Sequence, residues 1–191
     1  MREQDMRKVI YWVHTSIDGH IDGPKGEFDW PVMGEELSAY SDALTERVDT
    51  LLYGRGVWEG MVSFWPTAES MSDHPHVLSY APIWRSTPKI VFSTTLAESE
   101  WTAAVIRTNV AEEVAELKRK PGKDLLLTGG SRLAATFTDH GPIDEYHVAV
   151  HPVVLGGGRP LFLPREDRLN LRLAESRTCD SNVVVMRYDR A

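Results

Sequence analysis

A chain of 191 residues, 42% hydrophobic and 26% charged, has the composition of a soluble globular protein with one sizeable core. A net charge of -7 argues against a nucleic-acid binder, which carries a basic face. No apolar run approaches the roughly 20 residues that span a bilayer. Met1–Ile10 contains no secretory h-region, and the lone cysteine, Cys179, permits no intramolecular disulfide. We therefore expect a single domain over 1–191, cytoplasmic, with no membrane segment and no nucleic-acid partner.

The elements follow in chain order. Lys8–Val13 is apolar and rich in β-formers, so it reads as the first strand. Asp18-Gly19 and Asp22-Gly23 follow as turn signals, in a loop that reads equally as a mobile lid or a surface excursion. Met33, Leu37, Tyr40, Leu44 and Val48 lie on one face of an amphipathic helix. Thr50–Tyr53 is a short buried strand closed by Gly54-Arg55-Gly56. From Met61 to Pro88 the prolines and scattered aromatics suggest a long connection with one short helix. Lys89–Ser93 is a strand, and Ala104–Arg107 a shorter one. Asn109 and Glu112 have the spacing of a capping box ahead of a helix striped by Val110, Val114 and Leu117. Asp124–Leu127 is a strand and Ser131–Phe137 a short helix. Glu145–His151, Leu169–Glu175 and Asn182–Tyr188 are three further strands, the last two antiparallel. This order predicts an α/β fold of three layers, with a mixed, mostly parallel sheet and an antiparallel C-terminal edge.

Three strand ends carry the chemistry. Gly129-Gly130-Ser131 lies where a strand turns into a helix. Helix starts bind phosphate through free N–H groups and the dipole, and glycine lets the backbone approach closely. The same residues also suit a plain tight turn. Gly54-Arg55 closes a second apolar strand, and Arg55 offers a fork of donors for phosphate. Ser93-Thr94-Thr95 ends a third strand with three hydroxyls. If these strands are parallel neighbours, the groups converge on one rim as a cradle for a nucleotide with more than one phosphate. Arg55, Ser93 and Thr94 then distinguish a 2′-phosphate from a bare ribose. Gly156-Gly157-Gly158 is a further cluster, able to approach a ligand or simply to turn the chain. His147 and His151 share one strand face, but no third ligand at suitable spacing completes a metal site, so they read as core or surface histidines.

Taken together, the chain resembles the dihydrofolate reductase-like superfamily, and in particular stand-alone proteins similar to the C-terminal reductase domain of the bifunctional riboflavin biosynthesis deaminase/reductase. The markers are Ser16-Ile17-Asp18-Gly19, Asp29-Trp30, Leu51-Leu52-Tyr53-Gly54-Arg55, Pro88 to Leu96, Gly129 to Leu133, and Ile143 to Phe162. The resemblance implies an NADPH-dependent reductase of a pteridine-like or ribosylaminopyrimidine substrate, acting as a homodimer. It implies cofactor contacts at Gly54, 2′-phosphate contacts at Arg55, Ser93 and Thr94, and pyrophosphate contacts at Gly129, Gly130, Ser131 and Arg132. Glu35, five residues after Trp30, matches the carboxylate that holds the pteridine ring in dihydrofolate reductases. Asp18 is a second catalytic candidate, and Trp30 and Gly157 are placed on the substrate side. The chain lacks the deaminase zinc signature, H-x-E followed by P-C-x-x-C. The alternatives are an NADP-binding module without catalysis, or an interaction protein using Trp65, Tyr80 and Trp84.

Overall fold

A computed structural model describes residues 6–97, 100–140, 142–180 and 182–191. Strand β1 (Val9–Ser16) leads to α1 (Glu35–Glu46), β2 (Val48–Gly54), α2 (Arg55–Phe64), a 3-10 turn (Trp65–Ser70) and α3 (Pro75–Ser86). Then come β3 (Lys89–Phe92), β4 (Ala104–Ile106), α4 (Val110–Arg119), β5 (Asp124–Thr128) and α5 (Ser131–His140). The chain ends with β6 (Ile143–His151), β7 (Leu171–Cys179) and β8 (Val183–Arg190). The strands form one sheet in the order β4-β3-β2-β5-β1-β6-β8-β7. From β4 through β6 every neighbouring pair is parallel, whereas β8 is antiparallel to both β6 and β7. The expected mixed sheet with an antiparallel C-terminal edge is therefore present.

The central strands explain the composition of their sequences. β1 is flanked by β5 and β6, and Val9, Ile10, Tyr11, Leu125 and Leu127 are fully buried. Side chains alternate between two cores. On one face Val9, Tyr11 and Val13 pack with Val114 of α4 and Leu133 and Phe137 of α5. On the other, Ile10 and Trp12 pack with Leu37 and Leu44 of α1, Trp58 of α2 and Trp84 of α3. The sheet is the middle of three layers.

Two expectations fail in instructive ways. The stretch 61–88 is not one long connection. A helix begins directly at Arg55, and a 3-10 turn and α3 follow. Gly56, Gly60, Pro66 and Pro82 obscure the periodicity, while Trp58, Tyr80, Ala81 and Trp84 supply the burial that holds these turns. Asn109 does not form a capping box either. It takes a left-handed conformation at φ +54° and its side chain makes no cap hydrogen bond.

Candidate functional site

Because β1, β2, β3, β5 and β6 run parallel, their C-terminal ends share one rim of the sheet. Open sheets bind ligands at that rim. Ser16, Gly54, Phe92, Thr128 and His151 end these strands. The glycine pair after β5 starts α5. Gly129 donates to the Trp12 carbonyl at 3.0 Å, and the Gly130 carbonyl accepts the first helical bond from Ala134 at 3.0 Å. Gly130, not Ser131, is thus the helix cap, and the first N–H groups of α5 have no intrahelical partner. Gly130 has φ +75°, and a Cβ there would lie 3.1 Å from the Val57 side chain. The close approach leaves the backbone bare.

Arg55 opens α2 beside this turn and is 54% exposed. Its guanidinium bonds Glu59 Oε1 at 2.7 Å and Thr95 Oγ1 at 2.7 Å, so the β2 and β3 ends are joined. Ser93 Oγ accepts from the Thr95 and Leu96 N–H groups at 3.2 and 3.0 Å, folding the turn after β3. Thr94 and Arg132 are exposed. Sequence reasoning named Ser93 and Thr94 but placed no contact on Thr95, the hydroxyl that meets Arg55.

The substrate-side candidates are spread more widely. Asp18 Oδ1 and Oδ2 accept from the Leu155 and Gly156 N–H groups at 3.1 and 2.8 Å. The Ser16 hydroxyl first, and then these two amides, hold its carboxyl well below the usual carboxylate range. It is a fixed anion that anchors the glycine loop. Arg159 of the same loop pairs with buried Asp22, and the Ile21 N–H donates to the Arg159 carbonyl at 2.8 Å, so the two loops are clamped together. A cleft of about 460 Å³ lies between them, lined by Asp22, Gly23, Pro24, Gly26, Gly158 and Arg159. Gly157 faces Pro24, 3.6 Å from where its Cβ would be. Glu35 is exposed at the start of α1. Its neighbour Glu36 instead bonds the Asp180 N–H, and Asp180 caps the helix in return through the Glu36 and Leu37 N–H groups.

The most concentrated polar chemistry on the rim is one the sequence did not reveal. His14 of β1 pairs with Ala149 and His151 of β6 with Ser16, so the two histidines are diagonal neighbours on one sheet face, and His14 Nδ1 lies 2.9 Å from His151 Nε2. Burial, then the mutual proximity of the rings, pushes His14 down to about 3; burial pushes His151 down to about 4. Both rings are neutral near pH 7. Trp30 stands edge-on to His151 with ring centroids 5.4 Å apart. His151 Nδ1 and Trp30 Nε1 are both buried without a hydrogen-bond partner among the described residues. His147, four residues earlier on the same face, differs: Tyr40 OH lies 2.6 Å from its Nδ1 and Glu145 Oε2 lies 3.1 Å from its Nε2. Burial alone would raise the Glu145 carboxyl, but His147, Lys8 and Arg47 outweigh it and hold it well below the usual range. The available signal was the alternation of β1, which puts Trp12, His14 and Ser16 on one face; the pairing of His14 with His151 depends on strand register.

Comparison with known proteins agrees with this architecture. The chain is 37% identical over 185 residues to the uncharacterised protein YyaP of Bacillus subtilis, covering 95% of this chain and 94% of that one. A putative riboflavin biosynthesis protein from Shewanella sp. PV-4 superposes with a TM-score of 0.76 at 27% identity, over 97% of this chain and 99% of that one. A diaminohydroxyphosphoribosylaminopyrimidine deaminase/5-amino-6-(5-phosphoribosylamino)uracil reductase from Thermotoga maritima gives 0.70 at 14% identity, over 98% of this chain and 58% of that one. Dihydrofolate reductase from Enterococcus faecalis, solved with NADP(H), gives 0.64 at 15%, over 97% and 98%. These last two share the fold. The model of the RibD C-terminal domain matches residues 7–185, and with the strand order and rim described above, the chain belongs to the RibD C-terminal domain family, with a dihydrofolate reductase-like fold.

Proposed function

We propose that the protein is an NADPH-dependent reductase of a pteridine-like or ribosylaminopyrimidine substrate. The observation that carries this reading is the convergence of Arg55, the β3-end hydroxyls and the bare Gly129-Gly130 turn on one rim. These residues fit the cofactor. A side chain at Gly130 would press on Val57 of α2, α5 offers free N–H groups, and Arg55 supplies an exposed positive fork. Gly129, Gly130, Ser131 and Arg132 hold the pyrophosphate in this reading. Gly54 lets α2 begin beside it, and Arg55, Ser93 and Thr94 hold the 2′-phosphate. When bound, the nicotinamide supplies the hydride.

The chain's own groups do the rest. Asp18 fixes the glycine loop around Gly157, so its role is positioning. Trp30 covers the ring side of the site. Glu35, exposed at the start of α1, is retained as a contact to the substrate's outer part. Structural neighbours that act on small molecules support a small-molecule substrate, and a homodimer is part of the same reading. Titration with NADPH, followed by cofactor fluorescence, tests it. Arg55→Ala removes charge-assisted bonds and weakens NADPH binding by about 10- to 100-fold. Failure of the wild-type chain to bind NADPH at millimolar concentration overturns the reading.

A further inference from the structure

Reduction by hydride leaves a proton to be delivered; Glu35 stands exposed at the start of α1, and the other obvious acids are engaged elsewhere. Asp18 is a fixed anion bonded to Leu155 and Gly156. Glu36 is bound to Asp180 and Glu145 to Lys8, Arg47 and His147. What the rim does hold is two buried or half-buried imidazoles in contact, one of which ends in a buried nitrogen with no partner. Buried polar groups are almost always bonded, and two that lack a partner among the described residues, His151 Nδ1 and Trp30 Nε1, belong to rings 5.4 Å apart at this rim. Resting on the reductase reading above, we propose that His14 and His151 form a proton relay whose inner end, His151 Nδ1, protonates the substrate ring, with Trp30 as its cover.

The step balances through ring tautomers. Hydride supplied by a bound nicotinamide would form a C–H bond at the carbon of a substrate C=N or C=O group, and the electron pair of the broken π bond would move to the adjacent nitrogen or oxygen. That nitrogen or oxygen takes the proton on His151 Nδ1. His14 Nδ1–H passes its proton to His151 Nε2 across the 2.9 Å contact. His14 Nε2 takes a proton from water, leaving hydroxide, and both rings end neutral in the opposite tautomer. His14 is only half-buried, which gives the relay its outer end. The inner end is reached when the stretch 24–34, which has no regular secondary structure and carries Trp30, lifts from His151. Among the described residues, Trp30 faces His151, Trp12 faces His14 with ring centroids 4.9 Å apart, and His76 of α3 acts on His14 at longer range. His151 is the catalytic residue in this scheme, and His14 acts through it.

Nitrogen-15 NMR of the full chain labelled at histidine, with and without NADPH, reads the relay without turnover. Both rings are expected neutral at pH 7, with averaged shifts of exchanging tautomers, and His14→Phe is expected to lock His151 in one form. An imidazolium at pH 7, or a wild-type His151 ring that never carries its proton on Nδ1, overturns the relay. In stopped-flow hydride transfer to dihydrofolate and to the ribosylaminopyrimidine, His14→Phe is expected to lower kcat by about 100-fold and to abolish the multi-proton solvent isotope effect, with KM and NADPH affinity nearly unchanged. An unaltered kcat in a folded variant overturns it. His14→Gln serves if the Phe variant does not fold. If wild type binds no NADPH or reduces neither probe, the reductase reading fails, while the tautomer result still decides the relay.

Discussion

Gly130 and Gly158 resist replacement for different reasons and to different degrees. At Gly130 the left-handed backbone is the main constraint, since the methyl of Val57, 3.1 Å from a new Cβ, can shift slightly. At Gly158, φ is +116° and a Cβ would lie 2.0 Å from the Asp22 carbonyl oxygen, which is backbone and cannot give way. Gly156 is the control, with φ +73° and nothing within 4 Å. Chemical denaturation should show Gly156→Ala costing about 1 kcal/mol and Gly158→Ala at least about 3 kcal/mol, since the latter also breaks the clamp between the two loops. Equal costs would mean that the loop around Asp22 adjusts freely. None of this was legible in the glycine run itself, where Gly156, Gly157 and Gly158 look alike. The difference comes from Asp22, far earlier in the chain.

At the scale of elements, α1 is capped from a distance. Gly34 has no side chain to cap with, and Asp180 in the β7–β8 turn accepts from the Glu36 N–H at 2.9 Å and the Leu37 N–H at 3.1 Å. The two glutamates at 35 and 36 read locally as dipole complements, yet only Glu36 returns a bond to Asp180. Asp180→Ala should lower stability by about 1–2 kcal/mol and Asp180→Asn by less, because Asn keeps an acceptor and tolerates the left-handed φ of +54° at this position. Thermal unfolding of the two variants checks this. The same scale explains why α2 and α3 were hard to read. Their apolar residues meet a wall of aromatics, with Trp58 and Trp84 stacked at 6.1 Å and Lys89 Nζ 4.2 Å from the Trp84 ring. Burial, rather than pattern, holds them helical.

For the whole molecule, the histidine pair sets an acid limit. Unfolded, each ring titrates near 6.5; folded, His14 and His151 are held down to about 3 and about 4. Between those values the unfolded chain binds more protons, so stability rises with pH. The contribution is complete above about pH 6.5 and is lost as pH falls toward 4, at up to about 1.4 kcal/mol per pH unit for each ring. The carboxylates with depressed values, Asp18 and Glu145, lose theirs only lower on the scale. Unfolding midpoints measured from pH 7 to 5 should therefore fall, and the slope should shrink in His14→Gln. A flat profile over that range would show both rings charged in the folded state.

The sequence by itself determined the strands, the α/β class, the antiparallel C-terminal edge and the polar residues that follow the parallel strands, because hydrophobic period, turn residues and motif order are local properties. Leu125–Leu127 and the glycine pair after them could be read from 13 residues. Tertiary structure alone decided which groups meet. Thr95 meets Arg55, Asp22 meets Arg159, Asp180 caps α1, and His14 meets His151 across 137 positions. The physical reason is that a hydrogen bond is decided by ångströms between atoms, and in a parallel sheet that distance follows from strand order and register, to which no single segment holds the key.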